Sequence, residues 1–131
     1  MTVSILVVDD EPDVVDLFRQ RFRREARSGD YALHFAESGD GALQQLRNGI
    51  RPELILILSD INMPGMDGLQ LLQEIRREWP HLPVMMVTAY GDDERRRQAA
   101  AAGAADFLGK PVDFDYLKQR LRSFTTSRPA I

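Results

Sequence analysis

Three short runs of this chain are apolar without alternation: Ile5-Leu6-Val7-Val8, Leu54-Ile55-Leu56-Ile57-Leu58 and Val84-Met85-Met86-Val87. A strand with one wet face alternates apolar and polar residues. A continuous apolar strand is covered on both faces, which is the condition of a parallel sheet between two layers of helix. Each run ends at polar residues: Asp9 and Asp10 after the first, Ser59 and Asp60 after the second, Thr88 after the third. A fourth candidate strand, Phe107-Leu108-Gly109, is followed by Lys110. An acid at the end of a buried strand is costly unless an opposite charge compensates it. Three acids, a hydroxyl and an ammonium on one sheet edge suit a metal ion and a transferable phosphoryl group.

The intervening segments have helical periodicity. Strands are expected near Val3–Val8, Tyr31–Ala36, Leu54–Ser59, Pro83–Val87 and Asp106–Leu108, with five helices between and after them. The first helix starts near Pro12, whose missing N–H costs nothing there, and carries Val14, Val15, Phe18 and Phe22 on one stripe. The second has Ser38 as N-cap and turns Ala42, Leu43 and Leu46 inward. The third uses Leu69, Leu72 and Ile75 and stops before Pro80. The fourth, about Asp92 to Ala102, is rich in arginine and alanine, so its apolar face is shallow; Gly103 caps it. The fifth begins near Asp113 and carries Phe114, Leu117, Leu121 and Phe124. Alternating strands and helices imply an α/β fold with right-handed crossovers. With strand order 2-1-3-4-5, strands one and three meet where the order reverses. Ligands of such sheets sit there, beyond the carboxyl ends of the strands.

Composition narrows the chemistry. The 131 residues suit one domain, expected over 1–124, with 125–131 a disordered tail or the start of a linker. The absence of cysteine excludes disulfides and thiolate metal sites. A net charge of −3 gives no reason to expect direct nucleic-acid binding. No apolar run approaches the ~20 residues needed to span a bilayer, so a cytoplasmic chain without membrane contact is expected. Arginine greatly outnumbers lysine, and the lysines are Lys110 and Lys118. Lys110 is a compact point charge where arginine would bring a planar fork.

The acids have a chemical use. Mg²⁺ takes oxygen ligands from one or two carboxylates plus substrate phosphate, and Asp9, Asp10 and Asp60 supply such a set, with Mn²⁺ as an alternative. An aspartate can form a covalent phosphoryl intermediate. Lys110 would neutralise one phosphoryl oxygen and Thr88 would hydrogen-bond another. Taken alone, Asp9-Asp10-Glu11 would be read as helix-capping acids, Thr88 as a strand-end residue and Arg95-Arg96-Arg97 as a solvated face. Their combination reverses the first two readings and leaves the third.

The set Asp9-Asp10, Asp60 with Met63-Pro64-Gly65-Met66-Asp67-Gly68, Thr88-Ala89 and Phe107-Leu108-Gly109-Lys110-Pro111 closely resembles the receiver domain of two-component response regulators, from about Val3 to Phe124. The resemblance implies a flavodoxin-like fold and a phosphoacceptor switch. Asp60 would receive a phosphoryl group from a sensor histidine kinase or phosphotransfer protein, the chain catalysing only its own phosphorylation and dephosphorylation. Asp10 and Asp60 would bind Mg²⁺ directly, Asp9 through water and Asn62 through its backbone carbonyl. Thr88 would move toward the phosphoryl group and Phe107 would turn from exposed to buried. The face of the fourth helix, fifth strand and fifth helix would thereby change for a downstream effector or a second copy. Asn62, Ala89 and Tyr90 would tune phosphoryl loss, and the Lys110-Pro111 peptide is often cis in such domains. Pro52 to Asp60 looks longer than the common pattern, so the third strand is expected to start differently. A competing reading is a Mg²⁺-dependent phosphatase of the haloacid-dehalogenase type, which would need an acid where Asn62 stands. A third is a binding module that is never phosphorylated.

Overall fold

A computed structural model describes residues 2–126. Five parallel strands form one sheet in the order β2-β1-β3-β4-β5. They are β1 (Val3–Val8), β2 (Tyr31–Ala36), β3 (Leu54–Asp60), β4 (Val84–Thr88) and β5 (Asp106–Gly109). The helices are α1 (Pro12–Arg21), α2 (Arg23–Ser28), α3 (Gly39–Asn48), α4 (Gly68–Glu78), α5 (Asp93–Ala101) and α6 (Phe114–Thr126). The expected strand order and all five strands are present. Strands β3, β4 and β5 each run one residue further toward the polar edge than the apolar pattern suggested, because ladder pairing continues through Asp60, Thr88 and Gly109.

Six helices replace the expected five. The first helical segment breaks at Phe22, whose backbone leaves helical geometry at φ −103° and ψ 12°. Its buried ring stacks on Phe18 and meets Phe114 and Tyr31 edge-on. Packing of this ring explains why the stripe persists while the helix does not. Helix α6 runs to Thr126, two residues into the segment expected as a tail, and 127–131 lie outside the described residues.

The core has two halves divided by the sheet. On one side α1 and α6 contribute Phe18, Phe114, Leu117 and Leu121, joined by Phe22 from the break after α1. On the other, α3, α4 and α5 contribute Leu43, Leu46, Leu71, Leu72, Ile75 and Ala99. Leu71, unnamed by the periodicity, is fully buried, whereas Leu69 is only partly so. Ser38 caps α3 by accepting from the Gly41 N–H at 3.0 Å, as expected. Gly103 follows α5 at φ +100°, a conformation that glycine reaches without Cβ strain.

At the opposite edge of the sheet β3 starts at Leu54, as its apolar run suggests, but with an irregular register. Ser4 pairs with Leu54 while Ile5 pairs with Leu56, leaving Ile55 as a bulge. From Ile5 to Val8 the register is regular, so Asp60 arrives in phase.

Candidate functional site

Register builds the site. Val8 pairs with Ser59, so Asp9 and Asp60 leave neighbouring strands at the same level. Asp60 of β3 pairs with Val87 of β4, and Thr88 of β4 pairs with Gly109 of β5. The next residue, Lys110, donates its backbone N–H to Thr88 O at 2.9 Å. Gly68 makes this arrangement fit: a Cβ there would lie 2.2 Å from the Asp60 carbonyl oxygen and 2.7 Å from Ile61 Cα. Only glycine lets α4 start so close to the strand end.

Asp9, Asp10, Glu11 and Asp60 each bring a carboxylate oxygen within 4.8 Å of the others. Asp9 and Asp60 are buried; Asp10 and Glu11 face solvent. Lys110 Nζ donates to Asp60 Oδ2 at 2.9 Å and lies 3.7 Å from Glu11 Oε1. The Lys110-Pro111 peptide is cis. A second cis peptide, Arg51-Pro52, was not foreseen. Burial pushes the Asp9 pKa up to about 6, with the Asp60 charge adding to the rise and the Glu11 backbone N–H opposing it. Burial alone would lower the Lys110 pKa, but the hydrogen bond and charge of Asp60 outweigh it and raise the ammonium above its ordinary value. One ammonium therefore faces four carboxylates. This surplus of hard oxygen donors fits a divalent cation better than it fits an ion-pair network.

The acids do not cap α1. Glu11 is its N-cap residue but makes no side-chain cap bond, and Asp9 Oδ1 accepts the Glu11 N–H at 2.9 Å. Glu11 itself was missed as a member of the cluster; its place directly after Asp9-Asp10 was the available signal.

The other side of the site is held by polar contacts. Thr88 is buried, and its hydroxyl makes no hydrogen bond among the described residues. The Asn62 backbone N–H donates to Asp60 Oδ1 at 3.1 Å, and its side-chain amide reaches both Asp92 oxygens at 3.0 Å. The Ala89 N–H donates to Asp92 Oδ2 at 2.7 Å. Tyr90 is fully exposed. Phe107 is half-buried, with the Arg96 guanidinium 4.8 Å above its ring. Arg95 donates to Asp67 Oδ2 at 2.9 Å, tying α5 to the N-cap of α4, a contact that the arginine run did not reveal. Asp92, by its sequence a helix start, turns its carboxylate to Asn62 and Ala89. His34 bonds Ser4 Oγ at 3.0 Å and His81 is exposed, so both histidines lie away from the acids.

These residues place the chain among known proteins. The response regulator receiver domain model matches residues 5–122, and the chain belongs to that family. It is 41% identical to the response regulator protein FleR of Pseudomonas aeruginosa over 118 residues, which cover 86% of this chain and 22% of FleR. It is 40% identical to the nitrogen assimilation regulatory protein NtrX of Azorhizobium caulinodans, over 89% of this chain and 25% of NtrX. The chain thus spans about a quarter of the length of these curated relatives. The receiver domain of NtrX from Brucella abortus superposes with a TM-score of 0.80 at 34% identity, over 95% of this chain and 99% of that one. A signal receiver domain from Pseudomonas fluorescens Pf-5 gives 0.84 at 28% identity, over 97% of each chain. A receiver domain in two-component signalling is therefore the class of the molecule, and a dehalogenase-type phosphatase is not favoured. The Asn62 side chain in particular is an amide, engaged with Asp92, where such an enzyme needs a proton donor. No described helix is long and apolar enough to cross a membrane.

Proposed function

We propose that Asp60 accepts a phosphoryl group from a sensor histidine kinase or phosphotransfer protein, and that this switches the face formed by α5, β5 and α6. The observation that carries the reading is the convergence of four carboxylates within 4.8 Å, with Lys110 Nζ 2.9 Å from Asp60. Asp10, Asp60 and the Asn62 backbone carbonyl would hold Mg²⁺ or Mn²⁺, with Asp9 acting through water. Such a metal would supply charge neutralisation for the phosphoryl oxygens. One Asp60 oxygen attacks phosphorus in line while the bond to the donor breaks. Lys110 stays protonated and neutralises a phosphoryl oxygen, and the Thr88 hydroxyl donates to another. Phosphoryl transfer depends mainly on positioning and charge, so the chain needs no further acid or base to promote its own labelling.

Thr88 moving toward the phosphoryl group vacates space beside Phe107, which then leaves the Arg96 guanidinium and turns inward. A downstream effector or a second copy would read the altered face. Asn62, Ala89 and the exposed Tyr90 sit where they set water access and so the phosphoryl lifetime.

Incubation with Mg²⁺ and acetyl phosphate should add the mass of one phosphoryl group. Asp60→Asn should remove the label and keep the fold. Thr88→Ala should still be labelled but should no longer alter Phe107. An unlabelled wild type, under conditions that label a control receiver, would overturn the reading. Persistent labelling of Asp60→Asn would move the acceptor elsewhere.

A further inference from the structure

Asp92 stands at the N-cap of α5, yet its carboxylate makes no cap hydrogen bond. An aspartate at that position ordinarily accepts from an amide of the first helical turn. Here both oxygens face the other way. They lie 3.0 Å from the Asn62 side-chain nitrogen, and Oδ2 also accepts the Ala89 N–H at 2.7 Å. The Ala89 carbonyl in turn accepts the Asp92 N–H at 3.2 Å, closing the turn. The two donors flank the acceptor aspartate: Asn62 also bonds Asp60 through its backbone, and Ala89 directly follows Thr88. An internal anion thus occupies N–H groups at the rim of a site built to receive an external one. These bonds, the Ala89 N–H foremost, hold the Asp92 carboxyl below its usual range, so it is charged at neutral pH. A local rule of helix capping is broken in favour of contacts to the site, and such exceptions concentrate at functional positions.

We infer that Asp92 is a positioning residue that latches Asn62 to the Thr88–Ala89 segment before phosphorylation and competes with the phosphoryl group for their N–H donors. The inference rests on Asp60 being the acceptor. Asp92 forms no covalent bond and takes no proton. The phosphoryl group brings nearly two negative charges to Asp60. It repels the Asp92 carboxylate and offers the donors stronger acceptor oxygens. The latch therefore opposes phosphoryl uptake and stabilises the resting position of the segment that carries Thr88.

The test compares wild type, Asp92→Ala, Asp92→Asn and Asp93→Ala. Asp93 is exposed and carries the same charge next door, with no bond to the site. Labelling rate is measured with acetyl phosphate and Mg²⁺, and Ala89 amide exchange is measured in the unphosphorylated chain. Asp92→Ala should be labelled about fivefold faster, the size of one net hydrogen bond, and should lose Ala89 protection. Asp92→Asn keeps one oxygen for the Ala89 N–H and should fall between; if Asp92→Ala does not fold, an increase in Asp92→Asn supports the latch and no change overturns it. Asp93→Ala should match wild type in both measurements. Equal labelling of wild type and Asp92→Ala, or an equal increase in Asp93→Ala, overturns the inference. A wild type that takes no label, with Ala89 exchange still responding to Asp92→Ala, overturns the Asp60 reading and the competition with it, and leaves only a structural turn.

Discussion

The aromatic layer of α1 and α6 and the helix α5 across the sheet are held by different means. The side of α1 and α6 is aromatic: Phe18 lies edge-on to Phe114 at 5.0 Å and stacks on Phe22 at 6.1 Å. On the opposite side α5 buries Ala99 and little else. It is held by Arg95 to Asp67, by Arg96 over Phe107 and by the contacts of Asp92. Apolar burial scales with area and is lost steeply when a ring is removed, whereas exposed ion pairs contribute little and exchange partners readily. The difference teaches which part stays fixed under the proposed phosphorylation of Asp60. The aromatic layer is a base, and α5, which buries one alanine, is displaced at little cost.

The sharpest way to break this comparison is Phe18→Ala. It should destabilise the fold by about 4 kcal/mol, measured by denaturant unfolding, because a fully buried ring leaves a cavity. A loss no larger than that of a surface substitution would remove the asymmetry. Gly68→Ala should cost about 3 kcal/mol, since the added carbon meets backbone at the end of β3 with nothing able to yield.

The charge balance at β1 gives a third test. The folded pKa of Asp9, about 6, lies above its ordinary 3.8. Its proton is held more tightly in the folded chain, so its contribution to stability is full below about pH 4 and is lost as pH rises through about 6. Without metal, Asp9→Asn should therefore gain on wild type across that interval, by up to about 3 kcal/mol at pH 7.5, in paired thermal melts. Mg²⁺ should shrink the gap, and its affinity for wild type should weaken below about pH 6. The smallest effect belongs to Arg95→Ala. It should change global stability by under about 1 kcal/mol. Amide exchange in α5 should nevertheless accelerate while α6 remains protected. Equal responses in α5 and α6 would mean that the two sides move together.

Much of this was legible in the chain. Unbroken apolar runs fixed the strands because parallel pairing buries both faces. Their polar successors marked the site because a buried strand end tolerates an acid only near a counter-charge. The split between α1 and α2 was hidden, since it depends on where the Phe22 ring packs across the fold. The roles of Glu11 and Asp92 were hidden for a related reason. An acid beside a helix start has the same local pattern whether it caps the helix or turns away, and only tertiary geometry separates the two. The one-residue extensions of β3, β4 and β5 arise from ladder pairing, which no single segment encodes.

The bulge at Ile55 has a further consequence. A slip of one residue normally inverts every later side chain along a strand, yet here the slip is completed before Ile57. The rim where β3 begins is thereby insulated from the rim that carries Asp60. Insertions ahead of β3 can accumulate without turning Asp60 away from its counter-charge.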